Sequence, residues 1–141
     1  MSQPSELLTT ARAELSARCN AVEEAYEFML AYAGQGLASD SGSAKGTQVR
    51  EYLAKAETAL TGLSAIVASF EGTEGDAELA PYAAFMKVID ADARASRAAI
   101  GLVLAQPTIS SQVIDNLNAS IHLRALLTDL FLVDEVLKGI K

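Results

Sequence analysis

The sequence predicts an all-α fold, a single-domain antiparallel up-down-up-down four-helix bundle, on three observations. Half of the 141 residues are apolar, and 26 of them are alanine and 18 leucine, the two strongest helix formers. β-Branched residues never cluster with the period-two alternation of a strand. Apolar residues instead recur in steps of three and four over four long stretches, separated by glycine- and proline-bearing breaks.

The first helix is predicted over 4–33. Ser2 or Gln3 caps it, and Pro4 sits in the first turn, where a missing N–H costs nothing. Leu8, Leu15, Val22 and Met29 recur every seven residues, Ala11, Cys19, Tyr26 and Ala33 complete the stripe, and Gly34 and Gly36 stop it. Residues 34–46, rich in Gly, Ser and Ala, read as a flexible connection, long for a compact bundle.

The second helix, 47–70, has the cleanest pattern. Val49, Leu53, Ala56, Leu60, Leu63, Val67 and Phe70 alternate in fours and threes, the seam of left-handed bundle packing. Gly62 inside it marks a close approach, and Glu71-Gly72 ends it in a left-handed cap.

Pro81 opens the third helix, 81–105, with Tyr82, Met86, Ile89, Ala93, Ser96, Ile100 and Val103 facing inward. Its small middle, Ala93 and Ser96, leaves room for an apolar ligand or brings two helices closer. Gln106-Pro107 breaks it, and Thr108, Ser110 or Ser111 caps a fourth helix, 111–138.

That fourth helix carries more apolar surface than a bundle of this size uses. On a straight helix Val113, Leu117, Leu127 and Phe131 share one stripe. Leu123, Leu130 and Leu137 flank it on one side, and Ile114, Ile121 and Leu132 on the other. The arc covers roughly 240°, where a surface helix needs about 100°. The surplus points to association, so the chain is expected to form a homodimer. The face assigned to the second chain is Leu123, Arg124, Leu127, Leu130, Phe131, Asp134 and Leu137. Arg124 and Asp134 lie within the arc, ten residues or about 15 Å apart. In an antiparallel two-fold contact Arg124 of one copy would meet Asp134 of the other.

Composition narrows the partners. The net charge is −7 with no run of Lys or Arg, which argues against nucleic acid and anionic membranes. No signal peptide or bilayer span is read, and one cysteine cannot form an internal disulfide. A cytoplasmic protein is expected.

Chemistry is harder to find. His122 is the one histidine, on a polar ridge with Asp115, Asn118 and Asp129. A metal site needs three or four converging ligands, and no Glu-x-x-His pair accompanies it. The architecture resembles that of histidine phosphotransfer domains, four-helix bundles of this size with an exposed helical histidine. Those domains carry lysine three residues after the histidine and then glycine. This chain has Ala125 and bulky Leu126 there, with Arg124 one place early. The segment Lys45-Gly46-Thr47 has the wrong order for a phosphate loop and follows a helix rather than a strand. Cys19 faces inward, and Arg94 with Asp90 is an ordinary i,i+4 pair. No catalytic, cofactor-binding or metal-binding residue is assigned. The function expected is that of a non-enzymatic adaptor or assembly protein, chaperone-like, working as a homodimer. A small bundle binding an apolar ligand is the alternative, and a phosphotransfer domain using His122 comes third.

Overall fold

The structure is a computed structural model and describes residues 3–140; the Ser2 cap lies outside them. The described residues form five helices and no strand: α1 (Gln3–Ala33), α2 (Ala44–Ala68), α3 (Ala80–Leu104), α4 (Ser111–Ala119) and α5 (Ile121–Lys138). α1 packs against α2, α4 and α5, α2 against α3, and α3 against α5 and the end of α4. No helix among the described residues is long and apolar enough to cross a membrane.

The inward stripes of the first three helices are those of the apolar repeats. Leu8, Leu15, Val22 and Met29 of α1 are buried, as are Val49, Leu53, Leu60 and Leu63 of α2 and Met86, Ile89, Ala93, Ser96, Ile100 and Val103 of α3. A repeat of 3.5 leaves some positions on the edge of the stripe, and there the packing chooses Ala25 and Tyr32 of α1 over Tyr26 and Ala33. Two of the predicted caps are present: Ser110 Oγ accepts from Val113 N, and Pro81 lies in the first turn of α3. The left-handed cap expected at Gly72 does not close α2, which ends two residues early at Ala68 on Ser69 in right-handed helical conformation; Gly72 (φ +78°) instead turns the chain three residues later.

Two features depart from the sequence reading. The connection after α1 is shorter than expected, because residues 44–46 belong to α2, and it is tied down rather than free. Ser43 Oγ caps α2 through Gly46 N at 2.9 Å. Asp40 Oδ1 accepts from Ile109 N at 2.7 Å, and Asp40 Oδ2 pairs with Arg50 Nε at 2.7 Å. Ser111 Oγ accepts from Leu37 N and donates to Tyr32 O, while Tyr32 Oη donates to Ile109 O. A Gly/Ser composition measures backbone freedom, but these bonds to the 105–111 segment hold the backbone in place.

The second departure is the fourth helix, which breaks at Ser120 (φ −58°, ψ 128°) into α4 and α5. Neither proline nor glycine causes it; the apolar pattern does. The buried side of α4 carries Ser111, Ile114, Leu117 and Asn118. Continued straight at 100° per residue, that side would present Ile121, Ala125, Thr128, Leu132 and Val136 to the core. After the break the core instead receives Leu123, Leu126, Leu127, Leu130, Val133 and Leu137. Burying a large aliphatic side chain is worth about 1.5–3 kcal/mol. The backbone hydrogen bonds given up at a break are worth about 0.5–1.5 kcal/mol each. The bulkier stripe therefore wins, and the first is turned outward.

Candidate protein-binding face

The displaced stripe of α5 does not stand alone. On α3, Pro81, Phe85, Val88, Asp92, Ala95, Ala99 and Leu102 form a second seam in strict steps of four and three, one residue out of phase with the core seam. The two outer seams lie side by side, joined at three levels. At one end Pro81, Tyr82 and Phe85 of α3 meet Leu132, Val133 and Val136 of α5 in an apolar groove of about 440 Å³, with Glu78 on its lip. At the other, Ala99 and Leu102 border Leu117 and Ser120 round a smaller hollow of about 270 Å³. Between them the carboxyls of Asp92 and Asp129 face each other.

Exposed apolar side chains concentrate on this surface. Seven large apolar side chains stand exposed among the described residues, and five of them, Val88, Leu102, Ile121, Leu132 and Val136, belong to these two seams. Ile121 and Leu102 protrude most, at 74% and 66%. The other two, Leu30 and Phe131, lie elsewhere. Singly exposed aliphatics are ordinary, whereas the concentration of five of them on one face makes it the candidate surface.

Asp92 and Asp129 interrupt the strip. One Asp129 oxygen is shielded from solvent with no donor to it. Burial, then the hydrogen bond a protonated Asp129 makes to Asp92, then the Asp92 charge push the Asp129 carboxyl up to about 7. Near neutrality Asp129 is therefore partly protonated, as a carboxyl in a poorly solvated site beside another carboxyl is.

The residues singled out in the sequence are dispersed. Leu123, Leu127, Leu130 and Leu137 fill the chain's own core, because the break at Ser120 rotates them inward. Arg124 and Phe131 are exposed, on the flank of α5 away from Leu132 and Val136. Asp134 pairs with Lys138 of its own helix at 3.4 Å, so it has a cation without a second chain. His122 and Asp115 are exposed, whereas Asn118 is buried with neither amide atom bonded and Asp129 is held by Asp92. The ridge read on a straight helix is thus divided by the break. Among the described residues no group of three or more His, Cys, Asp or Glu could hold a metal. Cys19 is buried, and burial, reinforced by the nearby Asp134 and Glu23 charges, pushes its thiol up to about 11. At neutral pH it is a small apolar filler rather than a nucleophile. Arg94 bonds Asp90 at 2.9 Å.

Comparison of the chain with protein-family models, with curated proteins and with solved structures returns no significant match.

Proposed function

We propose that this protein is a non-enzymatic interaction protein, an adaptor or assembly factor of chaperone-like kind, that works as a helical-bundle homodimer by covering the α3–α5 face. In this reading α4 and α5 together serve as the fourth rod of an up-down-up-down bundle, which frees their outer seam for a partner. The observation that carries it is the concentration of five of the seven exposed large apolar side chains on that face. A cytoplasmic setting suits a chain whose lone cysteine is a buried, free thiol.

A substitution that charges the strip without touching the core tests this. Sedimentation velocity should find the wild type in a concentration-dependent assembly. Ile121→Glu with Leu132→Glu should be monomeric at every concentration with unchanged helical circular dichroism. Equal sedimentation of the two would overturn the proposal.

A second reading has one observation in its favour. The groove between Phe85 and Val136, at about 440 Å³, falls within the range of small-ligand sites. An apolar molecule retained in native mass spectra, and lost on Phe85→Ala, would support it over the first.

A further inference from the structure

Resting on the reading of the α3–α5 face as an interaction surface, we infer that its occupant is a second copy of this chain, docked antiparallel about a two-fold axis that passes through Asp92 and Asp129.

The face is asymmetric along its length, with a groove at one end, two protruding side chains at the other, and small residues between the axis and the protrusions. An antiparallel copy turned about Asp92 pairs positions on α3 whose numbers sum to about 184. Phe85 then opposes Ala99 and Val88 opposes Ala95, a large side chain against a small one each time. Tyr82, at the mouth of the groove, opposes Leu102. On α5 the same rotation, centred between Thr128 and Asp129, pairs Leu132 with Ala125 and Val136 with Ile121. The two most protruding residues, Ile121 and Leu102, enter the second copy's groove at the end lined by Pro81, Tyr82 and Val136. The second copy returns the same contacts, as a two-fold interface requires. Interdigitation of large with small residues is what packs helix surfaces closely.

The dimensions agree. Pro81 to Leu102 spans about 32 Å at 1.5 Å per residue, and two adjacent helices are about 20 Å wide. Such a face buries on the order of 600 Å² per copy, about 1,200 Å² in all, the lower bound for a specific dimer. A parallel copy would set groove against groove and the protruding Ile121 and Leu102 end against its like, which leaves the grooves unfilled.

The axis brings two Asp92–Asp129 pairs together, the one place where the strip resists closure. Removing a carboxylate there should therefore help the dimer, whereas in an interface lying elsewhere it would do nothing.

Variants with one added cysteine test the register directly. Ile121→Cys and Val136→Cys are both at exposed positions, and the native Cys19 is buried and unreactive. Under mild oxidation a mixture of the two variants, one carrying a mass tag, should give a mixed disulfide dimer several-fold in excess of either variant alone. In parallel, Asp129→Asn should tighten self-association several-fold in sedimentation equilibrium. A dimer that yields Ile121–Ile121 disulfide preferentially, or that Asp129→Asn weakens, overturns this register and leaves the interaction reading standing. A chain that stays monomeric at high concentration overturns both.

Discussion

The Arg50 guanidinium and the Asp40 carboxylate form a 2.7 Å ion pair that ties four segments of chain together. Arg50 Nη1 donates to Leu104 O at 3.1 Å and Nη2 to Gln106 O at 2.9 Å, at the end of α3. Asp40 lies in the connection after α1 and accepts from Ile109 N before α4. The bond to Arg50 and that to Ile109 hold the Asp40 carboxyl below its ordinary range.

Arg50→Lys should test the geometry of this clasp rather than its charge. An ammonium cannot reach one carboxylate and two carbonyls at once, as the forked guanidinium does. Loss of about 1–2 kcal/mol in urea unfolding is expected, and about 2–3 kcal/mol for Asp40→Ala, which strands both the cation and the Ile109 N–H. Because the Asp40 carboxyl is depressed in the fold, its contribution is complete above the unfolded value of about 3.9 and disappears as the pH falls below it. Wild type and Asp40→Ala should therefore converge in stability under strong acid. A constant gap down to the lowest pH would contradict the assignment.

Asp129 acts in the opposite sense. An unfolded aspartate titrates near about 3.9, and in the fold Asp129 does so at about 7. Between these values the folded chain binds the extra proton, so stability falls as pH rises from about 4 to 7 and levels off beyond. Asp129→Asn should abolish much of that slope. Allowing for solvent screening at a partly exposed site, it should gain about 1 kcal/mol at pH 7.5, a few degrees in Tm. Thermal melts at pH 5 and 7.5 decide it, and a variant less stable than wild type at pH 7.5 would refute the carboxyl pair.

Two helical glycines should respond in opposite ways to alanine. A Cβ on Gly46 would collide with the backbone carbonyl of Asp40, which the Arg50 clasp keeps from moving, so Gly46→Ala should cost about 3 kcal/mol. The nearest atoms that a Cβ on Gly62 would meet are those of the Arg18 guanidinium. That side chain is 30% exposed and held by one 3.9 Å pair with Glu14, so it swings away. Gly62→Ala should be neutral, or stabilising by up to about 1 kcal/mol through helix propensity. Chemical unfolding of the two variants gives the comparison; equal losses would show that Arg18 is fixed.

Much of this architecture is written in local pattern. The inward stripes of α1, α2 and α3 follow from steps of three and four, because burial on a helix depends only on angle. The fourth stretch resisted the same reading for a physical reason. Two apolar stripes lie on it, Ile121–Leu132–Val136 and Leu123–Leu130–Leu137, and angles on a straight rod merge them into one wide arc. Only the volume of the core formed by the other helices decides which turns inward, and that is a tertiary quantity. The outer seam of α3 was visible as Pro81, Phe85, Val88, Asp92, Ala95, Ala99 and Leu102, but it is masked by a core seam one residue away. The Asp92–Asp129 pairing has no local signal, since it exists only once α3 and α5 are adjacent.

The central claim is that the outer seams of α3 and α5 are covered by another protein surface. Hydroxyl-radical footprinting of the purified chain, read by peptide mass spectrometry across a hundredfold range of concentration, measures that cover side chain by side chain. The account predicts that labelling of Leu102, Ile121, Leu132 and Val136 falls several-fold as concentration rises. Leu30 and Phe131, exposed to a similar degree as Leu132 and Val136 but off the face, should keep constant labelling. Labelling of all six that is independent of concentration, or a loss confined to Leu30 and Phe131, would contradict it.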